Sequence, residues 1–241
     1  MPIWPRAVLF DFDGVIVNSE PLHFQALQEV LAKEKIALSE EEYYRDLIGF
    51  DDRGAIRKLF QTRDLPLAPK TLLAVVAAKS AVMTDLIHRK KLDALPGVEE
   101  TVRTLWRRCP LAIVSGGLRE EIELMLEGVA LRDCFQFIVA AEDVTVGKPD
   151  PQGYLMAADR ISQKLLAADK ARRPLKPSEC LVVEDAPSVI RNARKAGFAT
   201  LGVANTYATW QLEDAKWVVE SLKPEEIARA MPELKLDEPA A

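Results

Sequence analysis

The chain is short of cysteine, of excess positive charge and of long uninterrupted apolar sequence, and each shortage argues against a class of function. Its three cysteines, Cys109, Cys134 and Cys180, lie far apart in apolar surroundings. That pattern suits reduced core thiols rather than a disulfide framework or a zinc site. The formal charge is −5 and the isoelectric point about 5.3, so the basic field on which nucleic-acid binding relies is missing. The N-terminal stretch MPIWPRAVLF carries one arginine and an apolar run too short for a signal peptide, and no stretch reads as long enough to span a membrane. We find no internal repeat and no low-complexity tract. The expectation is a soluble, cytoplasmic protein with neither a nucleic-acid nor a membrane partner. The 241 residues, 49% of them hydrophobic, suffice for a substantial core, either one large domain or a core with a smaller one.

What the chain does have is short apolar runs that end in polar residues. Ala7 to Phe10 runs into Asp11-Phe12-Asp13-Gly14; Leu111 to Val114 into Ser115-Gly116-Gly117; and Cys180 to Val183 into Glu184-Asp185. A further run, Phe137 to Ala141, leads through EDVTV to Gly147-Lys148-Pro149. All-apolar runs separated by helical stretches are how strands buried on both faces of a parallel sheet read. Side chains alternate along a strand, so Asp11 and Asp13 are expected to leave the strand end in one direction and share a small pocket. Such a pair is costly unless a cation offsets it or one member keeps a proton.

Each motif has a plainer explanation when taken alone. Ser115 could cap a helix starting near Leu118, Lys148 could be a turn lysine before Pro149, and Glu184-Asp185 could suit a helix start. Taken together, all of them lie beyond the carboxyl ends of strands, the edge where open α/β sheets bind ligands. A carboxylate nucleophile, a hydroxyl with glycine amides, a lysine and an acidic pair make up the set that phosphoryl transfer requires.

The four segments DFDGVIVNSE, VSGG, GKPDP and VVEDAPSVI, in this order, resemble the haloacid dehalogenase superfamily, specifically its β-phosphoglucomutase-like and phosphoglycolate phosphatase-like branch. The resemblance spans essentially the whole chain. It implies an α/β fold with a doubly wound, Rossmann-like parallel-sheet core (1–17 and 93–241) and an inserted all-helical cap (18–92). It also implies Asp11 as a nucleophile that forms an aspartyl-phosphate and Asp13 as the acid/base. Mg²⁺ would be held by Asp11, the Asp13 carbonyl and Asp185, with Glu184 as a further ligand or a partner of the ligands. Ser115, the Gly116 amide and Lys148 would hold the phosphoryl oxygens.

Helical spacing supports the insertion. Ser19 and Pro21 mark a helix start, Ser39-Glu40-Glu41-Glu42 reads as a capping box, and further helical patterns cover about 52–60 and 69–91. A cap there would overlie the crevice, closing and reopening about hinges near Val17-Asn18 and Leu92-Pro96. By resemblance, His23, Arg53 and Lys79 would face the distal end of the substrate, with the Gly49-Phe50 loop nearby and Asn18 and Ser19 at the hinge. The segment 162–178 reads as a helix end with a surface loop, and the tail KLDEPAA as frayed.

These readings lead to an expected Mg²⁺-dependent phosphatase acting on a small phosphorylated metabolite, such as a sugar phosphate or phosphoglycolate, as a monomer or weak homo-oligomer. A β-phosphoglucomutase-type isomerase is the alternative, with a non-catalytic binding protein behind it. Dehalogenation has no need of Asp13 or the Glu184-Asp185 pair, and a phosphonate hydrolase would need a cap lysine, for which Lys79 is the candidate.

Overall fold

The computed structural model describes residues 4–48, 50–90 and 92–234; Gly49 and the tail KLDEPAA therefore lie outside the described residues. The chain divides into two compact units, Met1–Asn18 with Asp93–Ala241, and Ser19–Leu92.

The larger unit is built on a six-stranded sheet in the order β3-β2-β1-β4-β5-β6, with every pairing parallel. The strands are β1 (Ala7–Phe10), β2 (Leu111–Val114), β3 (Ile138–Val139), β4 (Cys180–Glu184), β5 (Ala199–Val203) and β6 (Trp217–Val219). This is the doubly wound order, in which the chain reverses direction across the sheet beside the first strand. β1 and β4 are apolar and buried along their length up to Glu184, because helices cover both faces. One face packs Leu9, Val114, Val182 and Val139 against Tyr154, Ala157 and Ile161 of the helix Gln152–Ala167. The run Phe137–Ala141 supplies only two strand residues. On that edge strand Arg119 Nη1 donates to the Ile138 carbonyl at 3.1 Å and Asp143 accepts from the Ala140 amide at 2.9 Å, while Arg119 and Asp143 form an ion pair. All three cysteines are free, and burial pushes Cys109 and Cys180 up to about 12, which keeps them as unreactive thiols.

The smaller unit contains helices α1 (Glu20–Lys33), α2 (Glu40–Asp46), α3 (Asp52–Thr62) and α4 (Pro69–Arg89). Ser39 caps α2 by accepting the Glu42 amide at 3.2 Å, but the Glu42 carboxylate is drawn away to Arg63 at 2.5 Å, so only half of the expected capping box forms. Leu27, Leu31, Ile56, Leu59, Leu72 and Val75 close the core. The expectation that no stretch reaches membrane-spanning length is corrected by α4. By length and composition it suffices, because between Lys70 and Arg89 only Lys79 and Asp85 are charged among the alanines, valines and leucines. In the structure Leu72 and Val75 instead belong to the packed interior of this helical unit, and Lys79, Met83 and Leu86 continue the buried stripe of the helix.

Candidate active site

β1 ends at Phe10, and the ladder continues one step further through the Asp11 amide, which donates to the Val183 carbonyl at 2.9 Å. The chain then turns tightly. The Phe12 carbonyl accepts from the amides of Val15, Ile16 and Val17, and Gly14 takes φ +76°. Asp13 is therefore placed by a turn rather than by continued strand alternation, and it still lies close enough to Asp11 for the two carboxylates to interact. Its carboxylate accepts from the Ser115 hydroxyl at 3.3 Å. Two further carboxylates crowd Asp11 from the end of β4: Asp11, Glu184 and Asp185 are buried and each offers an oxygen within 4.8 Å of the others.

The ends of four strands meet here because β2, β1 and β4 are neighbours, with Lys148 arriving from the loop after β3. The Lys148 ammonium lies 2.5 Å from Asp11 Oδ1 and 2.7 Å from Glu184 Oε1. Glu184 Oε1 also accepts from the buried Tyr154 hydroxyl at 3.1 Å, and its Oε2 accepts the Asp185 and Ala186 amides at 2.9 and 2.8 Å. With both oxygens engaged, Glu184 anchors Lys148 and the start of the helix Pro187–Lys195. Ser115 accepts the Gly117 amide at 2.9 Å through its hydroxyl oxygen, and Gly116 is exposed beside it.

Charge crowding appears in the proton affinities. Burial first, and then Glu184, push the Asp11 carboxyl well above the ordinary carboxylate range. The same two causes push Asp185 up to about 7, against a hydrogen bond from Thr206. In spite of burial, Asp11 and Glu184 hold the Lys148 ammonium above its ordinary range. Three carboxylates around one lysine leave negative charge uncompensated, and every donor is a hard oxygen. That set fits a divalent cation such as Mg²⁺.

Three contributors carried no signal in our reading of the motifs. Tyr154 lies three positions after the GKPDP segment, outside the motif itself. Asn205 and Thr206 follow β5, where Thr200 and Gly202 break the apolar run that marked the other strand ends. Asn205 Nδ2 donates to the Gly14 carbonyl at 2.8 Å.

Within the helical unit, Lys79 is 2% exposed, and its ammonium lies 2.6 Å from both Asp52 Oδ1 and His23 Nδ1. Burial, and then Lys79, hold the His23 pKa well below its ordinary value, so the neutral ring accepts at Nδ1. Ser19 is buried at the start of α1, Asn18 is exposed, and Arg53 is exposed on α3. The structure thus brings His23 and Lys79 together and places Arg53 apart on the surface.

The family model for haloacid dehalogenase-like hydrolases matches residues 8–203. The chain belongs to this family. It is 27% identical over 237 residues to a phosphorylated carbohydrates phosphatase of Thermotoga maritima, covering 95% of this chain and 99% of that protein. It is 28% identical over 199 residues to a fructose-1-phosphate phosphatase of Escherichia coli, covering 81% and 95%. Among solved structures, CbbY from Rhodobacter sphaeroides in complex with phosphate shares the fold, with a TM-score of 0.78 at 21% identity over 95% of this chain and 98% of that one.

Proposed function

We propose that the chain is a Mg²⁺-dependent phosphatase of small phosphorylated metabolites, with sugar phosphates first among them. The observation that carries this reading is the placement of Asp11, held by Lys148 at 2.5 Å within a buried cluster of carboxylates at the carboxyl edge of the sheet. The relatives named for phosphorylated carbohydrates and for fructose 1-phosphate support the substrate class.

In this reading an Asp11 carboxylate oxygen attacks phosphorus while the bond to the leaving ester oxygen breaks, and Asp13 gives its proton to that oxygen. Water then attacks the aspartyl-phosphate, passes a proton to Asp13 and releases phosphate with Asp11 restored. Ser115, the Gly116 amide and Lys148 hold the phosphoryl oxygens, and the Ser115 hydroxyl keeps Asp13 oriented. Asp11, the Asp13 carbonyl and Asp185 would hold Mg²⁺, with Glu184 steadying them. When bound, the metal offsets the charge of the phosphoryl group and of the carboxylates. Lys148 pairs with Asp11 and Glu184, which keeps the nucleophile ionised as far as burial allows. Substrate choice we assign to Asn18, Ser19 and the helical unit, chiefly to His23 and Lys79, with Arg53 and the Gly49 loop.

Phosphate release from a panel of sugar phosphates, phosphoglycolate and nucleotides tests the reading. Mg²⁺-dependent release that disappears in Asp11→Asn is expected. Release that survives in Asp11→Asn, or that is indifferent to chelation, would remove the proposed nucleophile or the metal. Conversion of β-glucose 1-phosphate to glucose 6-phosphate with a bisphosphate primer, without net phosphate release, would make the protein a mutase.

A further inference from the structure

We propose that the loop after β5 is a further arm of the site, and that Thr206, supported by Asn205, is a positioning residue that sets metal affinity through Asp185. The inference rests on the metal-dependent reading above and extends it to residues outside the four motifs.

The argument begins with strand order. β5 lies beside β4, which lies beside β1, and Gly202 pairs with Glu184. The chain leaving β5 at Val203 is therefore level with the end of β4, and two short steps bring it back over Asp185 to the turn after Asp13. Backbone bonds fix the route: the Ala204 amide donates to the Val219 carbonyl at 2.9 Å and the Asn205 amide to the Val203 carbonyl at 3.0 Å. From there the loop makes two contacts with different parts of the site. The Asn205 side-chain amide nitrogen donates to the Gly14 carbonyl at 2.8 Å, and the Thr206 hydroxyl and the Asp185 carboxylate lie together against the same side of Gly14.

Gly14 shows how closely the pieces fit. A Cβ on this residue would run into the Asp185 carboxylate and lie 2.7 Å from Thr206 Oγ1. The turn after Asp13, the Asp185 carboxylate and the Thr206 hydroxyl are thus packed against one another without a gap, so the loop can transmit its position to the carboxylate. A ligand carboxylate held by a neighbouring donor keeps its orientation when metal arrives, and loss of such a partner characteristically weakens metal binding. Both loop residues are exposed themselves, so replacing them leaves the core untouched.

The experiment compares wild type, Thr206→Val, Thr206→Ser and Asn205→Ala. Mn²⁺ affinity of the chelator-treated protein is read from the spin resonance of free Mn²⁺, and the Mg²⁺ concentration for half-maximal phosphate release is read alongside the substrate KM at saturating Mg²⁺. Thr206→Val is expected to weaken Mn²⁺ binding about tenfold, to raise the Mg²⁺ requirement in parallel and to leave the substrate KM unchanged. Thr206→Ser is expected to keep wild-type affinity, and Asn205→Ala to shift it in the same direction as valine. Wild-type Mn²⁺ affinity in Thr206→Val overturns the proposal, as does a serine variant as weak as the valine one. If the wild type itself binds no Mn²⁺, the metal-dependent reading falls first and this inference with it, whereas normal wild-type binding with an unaffected valine variant defeats the inference alone.

Discussion

Replacing Asp185 by asparagine in the metal-free protein should raise stability at pH 8 although it removes a site residue. The Asp185 carboxyl is pushed from 3.8 up to about 7 by burial and by Glu184. Its folded-state pKa is raised, so between those two values the folded protein retains a proton that the unfolded chain has lost. Unfolding then releases a proton, and stability falls as pH rises across that window. At about 1.4 kcal/mol per pH unit the loss reaches about 4 kcal/mol by pH 7 and stays constant above it. Asparagine carries no charge to bury and escapes the loss. For a chain of this size about 4 kcal/mol corresponds to a melting shift of roughly 8–16 °C, so even half the effect is readily measured. His23 has a lowered pKa and gives the opposite slope, with stability rising as pH climbs toward its ordinary value of 6.5. It is present in both proteins and cancels in the comparison at each pH. The assay is urea or thermal unfolding of chelator-treated wild type and Asp185→Asn from pH 5 to 8.5, repeated with millimolar Mg²⁺. The two proteins should be closest at the acid end, with the mutant above wild type by pH 8, and Mg²⁺ should rescue the wild type alone. A mutant less stable than wild type at pH 8 without metal would refute the claim that uncompensated charge at this cluster destabilises the fold.

Asp52→Ala should cost about 3 kcal/mol in urea unfolding because it leaves the Lys79 ammonium buried without its carboxylate, whereas Lys79→Met should cost less than half of that, since Asp52 is then left at a partly exposed helix start; equal losses would contradict this asymmetry. Tyr154→Phe should lower stability by about 1 kcal/mol and slow phosphate release through kcat rather than KM, because the lost hydroxyl holds Glu184 and not the substrate. Gly14→Ala should lower stability by at least about 2 kcal/mol, combining a left-handed backbone with a clash, and circular dichroism melts together with Mn²⁺ binding should both register it.

The parts of the site that could be read from the sequence share one physical cause. Strands covered on both faces are uniformly apolar, so a polar residue that ends such a strand stands out, and Asp11, Ser115 and Glu184-Asp185 were visible for that reason. β5 was less visible because Thr200 satisfies a neighbouring amide, accepting from Lys216 N at 3.1 Å, and Gly202 admits close packing by Leu212 and Ala215. Asn205 and Thr206 therefore went unmarked. Tyr154 was hidden by its context, since an aromatic on a buried helix face normally signals packing and only its hydroxyl betrays a second role. The Asp52–Lys79–His23 contact joins three helices, and no local pattern encodes which of the charges in that segment will meet. The turn at Phe12 was missed because strand alternation was carried on to Asp13, beyond the end of β1 at Phe10.

Arg119 and Asp143 have a consequence at the rim of the sheet that concerns the behaviour of the protein in a crowded solution. β3 is an edge strand, and exposed edges recruit strands from other chains. Here the strand is two residues long, the Ile138 carbonyl is occupied by a guanidinium and the Ala140 amide by a carboxylate. An incoming strand would have to displace a salt-bridged pair in order to gain two hydrogen bonds, so the fold leaves this border closed to sheet extension.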